Sequence, residues 1–164
     1  MTKQRESYAA GHRPKCLVIV DDTEEGDRAV YFASRWALRV GGGVVMLRII
    51  ETSEQNQEWL GVADVMRAEA HDDADAAIER AASRAQAIAG IVPERVIREG
   101  DALEQILDVV DGDADIARLV LAASSGAEGP GPIIALMANE IGAFPVPVTL
   151  VPGRLSDADI DALS

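Results

Sequence analysis

Short apolar runs alternate with longer amphipathic stretches along most of this chain. The apolar runs are rich in β-branched residues and mostly lack polar alternation, which is typical of strands that are buried on both faces. The pattern predicts five strands, at residues 16–20, 44–50, 94–98, 117–122 and 146–151.

Apolar residues recur three and four positions apart between these runs, as they do in amphipathic helices. Helices are predicted at residues 24–40, 64–89 and 132–141, and a further one begins after Asp101. Three consecutive glycines from Gly41 should stop the first helix, because glycine readily adopts the left-handed conformation that ends helices. Ser156 is a candidate N-cap for a short helix near the carboxyl end.

The strict alternation of strand and helix predicts one α/β domain over residues 15–151, built on an open parallel sheet with helices on both faces. Residues 1–14 are expected to form a flexible arm and residues 152–164 a tail with the short helix. Ligands of such sheets bind beyond the carboxyl ends of the strands, where Asp21 and residues 124–131 lie in this chain.

Charge narrows the choice of partners. The 164 residues carry a formal net charge of −13, and the only lysines are Lys3 and Lys15. Binding to nucleic acid or to an anionic membrane needs clustered positive charge, so neither is expected. The longest apolar run, residues 133–138, is too short to span a membrane, and the first residues lack a signal sequence. We therefore expect a cytoplasmic protein.

Residues suited to catalysis are scarce. His12 and His71 are the only histidines, and no serine has the spacing of a nucleophile elbow. His71 and Asp75 share a helical face but have no further ligands nearby, so no metal site is predicted. Asp21 and Asp22 invite comparison with receiver domains, but the aspartate and lysine that such domains need on later strands are missing. The sequence thus predicts no catalytic residues.

Five segments, in order, resemble the universal stress protein family. They are residues 17–22, 44–50, 98–106, 115–121 and 145–151. The resemblance implies the strand order 3-2-1-4-5 of adenine-nucleotide α-hydrolase-like folds. It also implies a homodimer formed by antiparallel pairing of the fifth strand, residues 146–151, which the flanking Pro145 and Pro147 already place at an edge of the sheet.

Members of this family that bind ATP share an aspartate after strand one, a backbone contact in strand two and a loop of the form G-x2-G-x9-G-[ST]. The resemblance makes four residues candidates for cofactor binding: Asp21, Ile49, Gly126 and Gly129. The loop motif is incomplete, because Asn139 and Glu140 stand where its last two residues should be. The alternatives are that Asp21 caps its own loop and that the glycines serve only loop flexibility.

Two prolines in the same loop, Pro130 and Pro132, remove backbone donors, and no lysine or arginine lies between Arg118 and Arg154. The leading interpretation is a stress-response or signalling module that works as a non-catalytic homodimer with an unidentified protein partner and no ATP cofactor. The alternative is a sensor of ATP or another adenine nucleotide, with slow hydrolysis, that uses the cleft between the Asp21 loop and residues 124–131. An enzyme of the related α-hydrolase folds is a third, minor reading.

Overall fold

The apolar runs form the strands of a single sheet in the computed structural model, which describes residues 4–52 and 60–164. The strands are β1 (Lys15–Ile19), β2 (Gly43–Ile50), β3 (Glu94–Glu99), β4 (Ile116–Ala123) and β5 (Val148–Pro152). Their order is β3-β2-β1-β4-β5, and every neighbouring pair is parallel. The predicted fold class and strand order are confirmed.

Helices cover both faces of this sheet. They are α1 (Gly26–Val40), α2 (Leu60–Ala89), α3 (Ala102–Gly112), α4 (Pro132–Met137) and α5 (Asp157–Leu163), with a 3-10 helix at Ile141–Ala143. The core on one face is built with α1, α2 and α5, and the core on the other with α3 and α4. None of the described helices combines the length and the hydropathy needed to cross a membrane.

Two elements near the carboxyl end are shorter than predicted. Helix α4 ends at Met137 and is followed by a turn and the 3-10 helix, where Asn139 and Gly142 have low helix propensity. Strand β5 begins at Val148, because Pro147 has no N–H to donate and contributes only its carbonyl oxygen, which accepts a hydrogen bond from Leu119 N at 3.0 Å. β5 pairs with β4 alone and is therefore an edge strand, as predicted.

The described part of the amino-terminal segment, which was expected to form a flexible arm, makes hydrogen bonds to the rest of the chain. Residues 4–14 lie along the turn that joins α3 to β4. Arg5 Nη1 donates to Val110 O at 2.7 Å, and His12 Nδ1 lies 2.7 Å from Asp115 Oδ1. The last carbonyl groups of a helix have no partner within it, so the end of α3 offers acceptors that hold this segment.

The tail packs back on the sheet through α5. The Ser156 hydroxyl accepts a hydrogen bond from Asp159 N at 3.1 Å, and an Asp159 carboxylate oxygen accepts one from Ser156 N at 3.0 Å. These reciprocal bonds form a capping box at the start of α5. Ile160 is fully buried in the core beneath α1.

The turn between α1 and β2 depends on glycine. Gly41 ends α1 with a positive φ of 68°, as the sequence predicts. The backbone at Gly42 passes so close to Pro14 that a Cβ would collide with the Pro14 carbonyl oxygen. This close approach allows Gly43 N to donate to the same carbonyl at 3.0 Å and begin β2 in register with β1.

Replacing Gly42 by alanine should therefore destabilise the fold. We expect Gly42→Ala to lower the free energy of unfolding by about 1–3 kcal/mol, because backbone on both sides of the collision must move. Gly112→Ala is the matched control, since a Cβ there meets nothing within 4 Å. It should leave stability unchanged or raise it by up to about 1 kcal/mol. Urea denaturation monitored by circular dichroism measures both, and equal effects of the two substitutions would contradict the prediction.

Candidate functional site

Two loops meet at the carboxyl edge of the sheet, beyond the neighbouring strands β1 and β4. Residues 20–25 follow β1, and residues 124–131 follow β4. The cavity between them, called the cleft below, has a volume of about 20 Å³. That is room for about one water molecule. Apolar side chains from β1, β4 and α4 form most of its wall, and its polar side chains are Asp21, Thr23 and Glu25.

Asp21 lies at the cleft, but one of its oxygens is occupied. Asp21 Oδ1 accepts a hydrogen bond from Thr23 N at 3.0 Å and another from the Thr23 hydroxyl. The same oxygen would lie only 2.7 Å from a Cβ at Gly26, so the first residue of α1 must be small. This is the geometry of an Asx turn, in which the carboxylate closes its own loop onto the following helix.

Glu25, which the sequence did not single out, also lines the cleft. A Cβ built on Gly153 would lie 2.9 Å from the Cβ of Glu25. A Cβ built on Gly131 would lie 4.0 Å from Oε1 of Glu25. Glu25 is thus wedged between the β4–α4 loop and the residue that follows β5. It occupies the N-cap position of α1 yet makes no capping hydrogen bond to that helix. Its carboxylate therefore lies at the side of the cleft that the β4–α4 loop forms, close to Gly131.

The glycines of the β4–α4 loop do not line the cleft at the predicted positions. Gly126 N donates to Ser124 Oγ at 3.1 Å, and Gly129 N lies 3.4 Å from Gly126 O. Their N–H groups are used within the loop. Gly131 does line the cleft and has a positive φ of 115°.

Ile49 also lies outside the cleft lining. It sits in β2 opposite Arg98 of β3 and packs, partly buried, against the core beneath α3 and α4. Its neighbour Arg48 instead reaches across the end of β1, donating to Val20 O at 3.2 Å and to Asp22 Oδ2 at 2.7 Å. This hydrogen bond from Arg48 lowers the pKa of Asp22.

Known proteins with the same pattern identify the family. Residues 12–152 match the model of the universal stress protein family. The chain belongs to this family. No curated protein sequence matches it significantly.

Solved universal stress proteins share the fold of this family member at low sequence identity. UspA from Lactobacillus plantarum is 17% identical, with a TM-score of 0.71 over 84% of this chain and 97% of that one. A universal stress protein from Archaeoglobus fulgidus in complex with dAMP is 18% identical, with a TM-score of 0.59 over 84% of this chain and 97% of that one. A universal stress protein in complex with cAMP is 14% identical, with a TM-score of 0.61 over 85% and 97%.

The histidine of the histidine–aspartate pair on α2 contacts a carboxylate that is already bonded to an arginine. His71 Nε2 lies 2.8 Å from Glu99 Oε1, and Arg67 donates to the same carboxylate at 2.6 and 2.7 Å. Within residues 4–52 and 60–164, no three or more histidine, cysteine or acidic side chains are grouped as a metal site would require.

A network of charges stands behind the cleft at the first turn of α1. Asp27 accepts hydrogen bonds from Arg84 Nε at 2.9 Å and from Arg28 Nη2 at 2.5 Å. Burial would raise the pKa of Asp27, but the hydrogen bonds from Arg84 and Arg28 outweigh it and hold that pKa below its ordinary value of 3.8. The ionised carboxylate ties α2 to the start of α1.

This network should make stability depend on pH in acid. Because the pKa of Asp27 is lower in the folded chain than in the unfolded one, its contribution is complete above 3.8 and is lost as the pH falls through the folded pKa. We expect Asp27→Asn to be less stable than the parent at pH 7, with the difference shrinking below about pH 4. Asp73→Asn, on the exposed face of α2, is the charge-matched control. A difference that persists unchanged to pH 3, measured by urea denaturation, would contradict this role.

Proposed function

We propose that this universal stress protein is a stress-response or signalling module that acts as a non-catalytic, cytoplasmic homodimer and does not bind ATP tightly. The observation that carries the proposal is the cleft, which has a volume of only about 20 Å³ and is lined by the acidic Glu25. Its described lining includes no lysine or arginine.

Electrostatics and volume both work against a triphosphate. The cleft of about 20 Å³ would have to open, and Glu25 would have to leave it, before phosphates could reach the β4–α4 loop. Asp21 would remain near several phosphate charges in a protein whose net charge is −13. Each desolvated contact between like charges opposes binding by on the order of 1 kcal/mol or more.

An adenine-nucleotide sensor is the second candidate. It is favoured by the solved universal stress proteins described in complex with cAMP and dAMP, whose fold this chain shares. Such ligands carry one phosphate instead of three, so that repulsion from Glu25 would be smaller. Asp21 stands at the cleft, where its second oxygen is available to a ribose hydroxyl. Slow ATP hydrolysis would belong to this candidate.

The absence of catalysis is proposed because the described histidines are engaged elsewhere. His12 pairs with Asp115, and His71 with Glu99. Neither histidine lines the cleft. Thus the common general acid–base side chain is not available there.

The free edge of β5 supports the homodimer. β5 is hydrogen-bonded to β4 on one side only, and Leu150 at its centre is 43% exposed. An unpaired apolar edge is a template for another strand, and antiparallel pairing with a second copy satisfies it with two-fold symmetry.

Removing the charge of Glu25 should improve ATP binding if this carboxylate blocks the cleft. By isothermal titration with ATP and magnesium, we expect no saturable binding to the parent chain in the micromolar range and measurably tighter binding to Glu25→Gln. Glu24→Gln, which removes the same charge from an exposed neighbour outside the cleft lining, should behave as the parent. Low-micromolar binding of ATP or AMP to the parent, abolished by Asp21→Ala, would instead establish the sensor.

A charge on the free edge should separate the homodimer. We expect Leu150→Arg to give a monomer in light scattering at concentrations where the parent is a dimer, because two guanidinium groups would meet near the two-fold axis. Val92→Arg is the matched control, since Val92 is 80% exposed and precedes β3 at the opposite edge. A monomeric parent well above micromolar concentration would disprove the homodimer.

A further inference from the structure

A second and larger cavity lies on the other side of the β1–α1 loop. It is a groove of about 250 Å³ between the start of α1 and the middle of α2. Its floor is apolar and includes Val20, Val30 and Ala77, all buried in the core beneath α1 and α2. Asp21 and Gly26 line both the groove and the cleft, so one loop forms a wall of each.

Two arginines one turn apart on α2, Arg80 and Arg84, stand at the rim of this groove. Arg84 is held in place by Asp27, to which its Nε donates at 2.9 Å, and by the ring of Tyr31, whose centroid lies 5.5 Å from the guanidinium carbon. These two contacts fix the orientation of the planar Arg84 guanidinium, and so they also fix the direction of its remaining N–H donors.

Arg80 is different, because it has no hydrogen bond or ion pair within the described part of the chain. The charge of Arg80 helps to lower the pKa of Asp22 without a hydrogen bond between them. The Asp22 carboxylate is instead bonded to Arg48 at 2.7 Å. Most other arginines around this loop have a carboxylate partner. An exposed guanidinium that has no hydrogen bond or ion pair to the described residues therefore stands at the mouth of a groove with an apolar floor.

The acidic groups around the groove are already engaged. Asp27 is shared between Arg84 and Arg28, and Asp21 accepts hydrogen bonds from Thr23. The start of α1, a helix of 15 residues whose N-cap makes no side-chain hydrogen bond, also points its positive end at this loop. The groove is consequently a place where an anion meets donors, in a protein that is strongly acidic overall.

We propose that this groove is a second binding site that takes a small organic oxyanion, a carboxylate or a phosphate monoester carried on an apolar body. Arg80 and the free donors of Arg84 bind the oxyanion, and the apolar body lies on Val20, Val30 and Ala77. Because the site shares the Asp21–Gly26 wall with the cleft, its occupation bears directly on the loop that closes the cleft. The site does not depend on ATP binding or on dimerisation.

Nuclear magnetic resonance of the ¹⁵N-labelled full chain tests this site. The two probes are phenyl phosphate, for a phosphate monoester, and benzoate, for a carboxylate. The two controls are benzyl alcohol, which has the apolar body without the anion, and inorganic phosphate, which has the anion without the apolar body. We expect saturable shifts of the Gly26, Ala81 and Arg84 backbone amides with at least one organic anion. Benzyl alcohol and inorganic phosphate should bind more weakly.

Arg80→Gln should weaken this binding by about tenfold, the loss expected for one charge-assisted hydrogen bond. Arg80→Lys should keep most of the affinity, because it keeps the charge. Arg13→Gln is the control for net charge, since Arg13 is exposed and does not line the groove. Each variant is also recorded without ligand. Backbone amide shifts that match those of the parent at residues outside the groove show that the variant is folded.

Three results would overturn the site. They are no saturable shift with either anion at concentrations up to about 10 mM, unchanged affinity in Arg80→Gln, and shifts centred on residues 126–131 instead of the groove. The last result would place the anion in the cleft and so count against the closed cleft as well. The first two leave the proposed function untouched.

Discussion

Strand β1 is buried on both faces and paired on both edges. Cys16 and Val18 point into the core beneath α1 and α2, whereas Leu17 and Ile19 point into the core beneath α3 and α4. Cys16, Leu17 and Val18 are fully buried. This strand contacts both cores and pairs with both halves of the sheet. Its packing therefore fixes the position of its carboxyl end and of the loop that begins at Val20. The positions of the cleft and of the groove both follow from that one strand.

The closing of the cleft results from packing between loops that are far apart in the sequence. Asp21 folds its own loop onto α1, and Glu25 then projects between Gly131 and Gly153. A glycine at position 153 is needed for this passage, since a Cβ there would stand 2.9 Å from that of Glu25. The result is a fold typical of universal stress proteins with an acidic side chain placed in the cleft at the loop after β4.

Charge is distributed unevenly over this acidic chain. The arginines around the β1–α1 loop are mostly neutralised by partners, as Arg48 is by Asp22 and Arg28 by Asp27. Together with the pair of Arg84 and Asp27, they connect β2 and α2 to the loop and to the start of α1, in a chain with a net charge of −13. Arg80 lies beside this network without a partner of its own in the described residues, which separates the groove chemically from the cleft.

The sequence by itself determined the strands, most helices and the type of sheet, because these depend on local periodicity and on β-branched runs such as 16–20. It also placed Asp21 correctly at the carboxyl edge, since the end of a parallel strand defines that edge. Only the tertiary structure decided that Gly126 and Ile49 lie outside the cleft lining and that Glu25 belongs to it. Those outcomes depend on side chains meeting across β1, β4 and β5, and contacts between residues so distant in the chain leave no periodic trace in it.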